Sequence, residues 1–129
     1  MADDPHIRQE LARYYTLNET NRYTLLRTAA SAKAGRTPGP EASITKLAIS
    51  RVCQASRELT FSILGAHGML DGSDAPYDGS LHTVALASFG VRIGGGTDEI
   101  QRNALGERVL GLPREPATDR DVAFRDLPR

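Results

Sequence analysis

The sequence predicts an all-α fold, an antiparallel bundle of three to four helices. Three observations predict it. Apolar residues recur three and four positions apart over two long stretches, and glycine- and proline-rich breaks separate the periodic segments. No run shows the two-residue alternation of a half-buried strand. At 129 residues the chain has the length of one domain. Residues 1–113 form the bundle, and residues 114–129, charged with few apolar groups, form an extended or disordered tail.

The first helix opens at Asp4-Pro5, with Asp4 as N-cap and Pro5 at the first helical position, where its missing N–H costs nothing. Its stripe is Ile7, Leu11, Tyr14, Leu17, Leu25, Ala29 and Ala32, interrupted by a polar zone at residues 18–21. Thr37-Pro38-Gly39-Pro40 cannot continue a helix, so the end falls near Gly35. A second helix is expected over residues 41–64, with Ile44, Leu47 or Ala48, Val52, Ala55, Leu59 and Ile63 as its stripe. Gly65-Ala66-His67-Gly68 stops it. Residues 71–79 read as a turn-rich loop too polar to bury. Ser80 is expected to cap a third helix over 81–93, and Thr97 a fourth over 97–110. Asp98 and Glu99 suit the positive end of that last helix, while Gly111 and Pro113 terminate it.

Composition excludes several classes of function. Basic and acidic residues balance at 16 each, so no electrostatic footprint for nucleic acid or an anionic membrane exists. Aromatic residues make up 5% and Trp is absent, which argues against a base-stacking surface. No apolar run reaches membrane-spanning length, and the first residues lack a signal-peptide pattern. A single cysteine, Cys53, fits a reducing compartment, and a cytoplasmic location is expected. Cys53 falls in an apolar stripe and reads as a buried structural thiol. His6 and His82 have no carboxylate or thiol at ligand spacing, so no metal site is expected.

The most specific segment is Gly95-Gly96-Thr97-Asp98-Glu99-Ile100-Gln101-Arg102-Asn103 followed by Glu107-Arg108-Val109-Leu110-Gly111-Leu112-Pro113-Arg114-Glu115-Pro116. Taken by themselves, glycines before a helix give a tight corner or bring N–H groups close to an anion, and the tight corner is the simpler reading. The string resembles the C-terminal end of the acyl-CoA dehydrogenase family, in the branch reading GGTxEIxRNxxxERVLGLPREP. Residues 43–54 resemble the family's AxxAKLxxxxxAQ helix, and residues 64–70 its LGGxGY turn. The likeness extends over most of residues 5–116.

The resemblance implies a C-terminal helical bundle, normally preceded by an α-helical and a β-barrel domain that these residues do not hold. It implies FAD as cofactor and oxidation of an acyl-CoA thioester to a trans-2-enoyl-CoA, within fatty acid metabolism. By position, Thr97 and Glu99 become flavin contacts, Gly96 gives close backbone approach, and Gly65 and Gly68 become backbone contacts to a flavin. The family's Gln at its turn is Ser62 here, and the second glycine of that turn is Ala66. His67 reads as a solvated helix-end residue. Members with a YEGT motif carry the catalytic glutamate where this chain has Gly95, which cannot take a proton. No residue of the chain is assigned as the base. Asp98 and Glu99 are explained by the helix dipole, and Glu99–Arg102 and Asn103–Glu107 are the suitably spaced neighbours.

The reading is therefore part of an FAD-dependent acyl-CoA dehydrogenase, inactive as an isolated chain. An apolar groove is expected between helices one and two, and with it a homo-oligomer or a partner subunit. The alternative is a non-enzymatic helical interaction module derived from that family.

Overall fold

The computed structural model describes residues 3–37, 39, 41–114 and 122–126. Its α-helices are α1 (Pro5–Lys33), α2 (Glu41–Leu64), α3 (Ser80–Val91) and α4 (Asp98–Arg108), and no strand occurs among the described residues. A left-handed turn with Tyr77 and Asp78 at φ 57° and 52° occupies Pro76–Gly79, and short 3₁₀ turns occupy Gly65–Met69, Gly72–Asp74 and Phe124–Asp126. The last of these lies in the expected tail, most of which falls outside the described residues.

The Asp4 carboxylate caps α1, accepting from the N–H groups of His6 at 2.8 Å and Ile7 at 3.3 Å. The polar zone at 18–21 does not interrupt the helix. Asn18 donates to the Tyr14 carbonyl at 3.0 Å, and Thr16, Thr20, Thr24 and Thr28 each donate to the carbonyl four residues back. These side chains bond back onto the helix and cost it no backbone bond, whereas Asn21 Oδ1 is buried without a partner among the described residues.

α2 is the central element, with α1, α3 and α4 each packed on it. Tyr14 lies beside Val52, Cys53 and Ser56, while Leu17, Thr20 and Thr24 lie beside Ile44, Leu47, Ala48 and Arg51. Rising numbers on one helix meet falling numbers on the other, so α1 and α2 are antiparallel. The same holds for α3, where Arg57 donates to Ser88 at 3.0 Å and the Phe61 ring packs edge-on against His82.

Burial is sparse. Among the described residues only Ile7, Leu59, Ala75 and Ala85 are buried apolar positions. The expected stripe of α1 is largely uncovered, with Leu11 and Leu25 exposed, because α1 packs extensively on α2 alone. Cys53 is half-buried on a groove wall rather than enclosed. The expected groove between helices one and two is realised as two grooves flanking their seam. One, of about 420 Å³, is completed by α3; the other, of about 260 Å³, by Leu105 of α4.

Two local expectations are corrected. Ser80 does not cap α3; the N-cap is Gly79, at φ 73°, and no side chain caps that end. The 71–79 loop is not wholly solvated, since Ala75 and Gly79 are buried. A Cβ on Gly79 would stand 3.3 Å from both Asp71 Oδ1 and the Gly72 nitrogen, so the loop closes on itself there.

Candidate flavin-facing corner

The segment between α3 and α4 is a tied corner. Thr97 caps α4 as expected, its hydroxyl oxygen accepting from the Ile100 N–H at 3.2 Å. Gly95 and Gly96 both have positive φ, 70° and 92°. A Cβ on Gly96 would come within 2.9 Å of Gln101 Nε2, which donates to the Gly95 carbonyl at 2.8 Å. The glycine at 96 is thus required by the corner's own fold. Past the end of α4, Gly111 adopts φ 65° and the Leu112 N–H reaches the Gly106 carbonyl at 3.0 Å.

Asp98 is the residue the sequence undersold. It is not simply a dipole-favoured first-turn acid: it is 4% exposed and bridges three helices. Lys46 Nζ and Ser50 Oγ, one turn apart on α2, both donate to its Oδ1 at 2.7 Å. Arg92 Nε donates to Oδ2 at 3.3 Å. Lys46 also donates to the Arg92 carbonyl at 3.1 Å. Burial pushes the Asp98 carboxyl up, but the bonds from Lys46, Ser50 and Arg92 outweigh it and hold it at about 2, against an ordinary 3.8. A sequence signal existed in Lys46 and Ser50 at four-residue spacing on one face, but nothing local said which acid they meet.

Glu99 points outward and pairs with Arg102 at 3.2 Å. A backbone hydrogen bond at its own position holds its carboxyl below the usual range against desolvation, with the Thr97 hydroxyl and the Arg102 charge helping and the Asp98 charge opposing. Glu107 does not meet Asn103 as its main partner; it pairs with Arg114 at 3.2 Å. Thr97 is half-buried and, with Glu99, Phe89, Arg92 and Ile93, lines an open depression of about 270 Å³.

Gly96, Thr97 and Glu99 are brought together. Gly65 and Gly68 are not with them. Lys46 and Ser50 place the corner toward the start of α2, whereas Gly65 and Gly68 follow its end, and the helix from Ser50 to Gly65 is about 22 Å long. At that far end Gly65 and His67 are exposed, and so is Ser62. A Cβ on Gly68 would meet Phe61 Cδ1 at 3.0 Å, and the Gly68 carbonyl lies 2.8 Å from His82 Nε2. His82 therefore ties the turn to α3. No cluster of three or more metal-ligating side chains exists among the described residues, and none of their helices is long and apolar enough to cross a membrane.

A family model described as "Acyl-CoA dehydrogenase, C-terminal domain" matches residues 1–110. The chain belongs to the acyl-CoA dehydrogenase family. It is 37% identical over 115 residues to the acyl-CoA dehydrogenase IpdE1 of Mycobacterium tuberculosis, covering 88% of this chain and 29% of that protein. The IpdE1 of Mycolicibacterium smegmatis is 33% identical over 114 residues, with 88% and 27% covered. The chain thus spans under a third of the length of these curated relatives. Among solved structures, the Tcur3481-Tcur3483 steroid ACAD superposes with a TM-score of 0.75 at 27% identity, covering 88% of this chain and 30% of that one. The ChsE4-ChsE5 complex from Mycobacterium tuberculosis gives 0.75 at 28% identity, again over 88% and 30%. The all-helical architecture of this acyl-CoA dehydrogenase relative is therefore that of known family structures.

Proposed function

We propose that the chain supplies one wall of the flavin site of an FAD-dependent acyl-CoA dehydrogenase. The observation that carries this is the corner itself: Thr97, half-buried at a glycine loop, opens on a depression beside Phe89, Arg92 and Ile93. These residues fit a planar ring with hydrogen-bonding edges. Phe89 and Ile93 present exposed apolar surface, and the Arg92 side chain, 44% exposed, supplies N–H donors. They fit a pyrophosphate poorly, since Asp98 and Glu99 fill the positive end of α4.

Held beside Phe89, Arg92, Ile93 and Thr97, FAD would supply the hydride-accepting chemistry for oxidation at the β-carbon of the acyl-CoA. The α-proton goes to a carboxylate outside this chain, because Gly95 offers no base. The product is a trans-2-enoyl-CoA. The solved relatives include a steroid ACAD and the ChsE4-ChsE5 complex, which supports a steroid-derived acyl group and a second subunit. Gly65 and Gly68, remote from Thr97, are proposed to meet a different flavin from the one at the corner, that of a neighbouring subunit.

The test is to recover the tagged chain from its own cells with whatever accompanies it. A yellow assembly, bleached without oxygen by a steroid-derived acyl-CoA, is the expected result, while the isolated chain leaves added FAD unbleached. A colourless assembly, with no spectral change on adding FAD, would overturn the reading. It would favour a non-enzymatic interaction module, which the exposed Tyr15, Leu26 and Val84 also suit.

A further inference from the structure

Asp98 stands between the two residues that the flavin reading uses, Thr97 and Glu99. Successive helical residues point about 100° apart. Burying Asp98, the first residue of α4, therefore dictates where Glu99 faces, and the bond from the Asp98 N–H to the Arg92 carbonyl at 3.2 Å fixes the chain beside Thr97, whose own backbone is extended at ψ 160°. Gly94, Gly95 and Gly96 have no side chains to pack, so beyond the Gln101 bond to the Gly95 carbonyl and the Thr97 cap, which tie the corner to itself, its setting against α2 falls to Asp98.

We propose that Asp98 is the positioning residue of the corner. By gathering Lys46, Ser50 and Arg92 onto one carboxylate, it sets the direction in which Arg92, Thr97 and Glu99 face the flavin. The inference rests on the flavin reading and deepens it.

Three features support the assignment. Both carboxylate oxygens are engaged, Oδ1 by α2 and Oδ2 by the residue that ends α3, so the group cannot rotate without breaking a bond. Arg92 meets Asp98 through Nε, which leaves its terminal nitrogens for the depression that it lines with Phe89, Ile93, Thr97 and Glu99. The corner's backbone is held at the same point, since the Arg92 carbonyl accepts from Lys46 Nζ at 3.1 Å and from the Asp98 N–H at 3.2 Å. One carboxylate thus indexes the end of α3 and the start of α4 against a single turn of α2. A hydrophobic replacement could pack there, but it would not specify the angle.

The test compares Asp98→Asn with the native residue in the full chain and in its flavin-loaded assembly. Helix content by circular dichroism is expected to persist. Amide hydrogen exchange at residues 94–99 is expected to quicken about tenfold, with the centre of α1 unchanged. Flavin in the assembly is expected to bind about tenfold more weakly, as for a site whose supporting contacts are loosened. Lys46→Met should reproduce the pattern and Lys46→Arg should recover most of the affinity. Should Asp98→Asn not fold, Ser50→Ala is expected to move both readouts the same way by about threefold.

Unchanged exchange at 94–99 overturns the proposal. So does quickened exchange with undiminished flavin affinity, which would make Asp98 a tie between helices and nothing more. An assembly that carries no flavin with the native residue in place sinks the flavin reading itself, and this inference goes with it. That outcome appears before any variant is made, so the two failures are told apart.

Discussion

The corner where α3 gives way to α4 and the seam between α1 and α2 are built on opposite principles. At the corner, one buried carboxylate has three side-chain partners and no polar atom of it is left over. Along the seam, contact between helices is extensive, yet away from it apolar side chains of α1 such as Tyr15 at 67% and Leu26 at 53% exposure stand in solvent. Polar interactions are directional and can be completed by a few atoms. Apolar burial scales with area and needs another surface. The Asp98 cluster is finished within the chain; the faces of α1 are finished only by something laid against them.

The contrast can be broken most forcefully at Asp98. Asp98→Ala leaves Lys46, whose side chain is 16% exposed, without its counter-charge, and is expected to cost about 3–5 kcal/mol in urea unfolding. A cost under about 1 kcal/mol would mean that solvent reaches the cluster and that the corner is no firmer than the seam.

Leu59 and Leu26 sharpen the same comparison. Leu59 is 7% exposed on α2, so Leu59→Ala is expected to cost about 2–4 kcal/mol. Leu26→Ala in the isolated chain should stay within about 0.5 kcal/mol, since the side chain has little to lose. In an assembly that covers α1 the second change should become costly, and equal small effects in both settings would leave that face without a partner.

Acid titration probes the corner alone. The Asp98 carboxyl is depressed in the folded chain, so its contribution is fully present above its ordinary 3.8 and is lost as pH falls through about 2. About 2 kcal/mol of stability should disappear across that window, and unfolding followed by circular dichroism should lose this step in Asp98→Asn. An identical acid profile for both proteins would assign the loss to other carboxylates.

Thr97→Ala is the mildest change at the corner. It removes the acceptor of the Ile100 N–H and is expected to cost about 1 kcal/mol while fraying the first turn of α4. A larger loss would show that the cap, rather than Asp98, anchors the corner.

Much of the fold was legible in residue order. Asp4, Thr97 and Gly35 marked helix boundaries because a cap or a left-handed turn is decided by a few neighbouring atoms. Ser80 misled, since a serine before a helix is a good cap only when the backbone places it outside, and Gly79 already holds that place. In the candidate site, Thr97 and Glu99 were found through their string and lie together on one depression. Arg92 and Phe89 were missed as its walls because they belong to the preceding helix, whose turn onto the corner no local pattern announces. Gly65 and Gly68, matched by the same kind of likeness, lie at the other end of α2.

The sequence by itself determined the helices, their breaks, the capped start of α4 and the family, because these rest on spacing and on contacts a few residues long. Only the tertiary structure decided that Asp98 is buried against Lys46, Ser50 and Arg92, across separations of 52, 48 and 6 residues. It also decided that the apolar stripe of α1 stays largely in solvent. Periodicity says which face of a helix is apolar, but not whether enough of the chain returns to cover it.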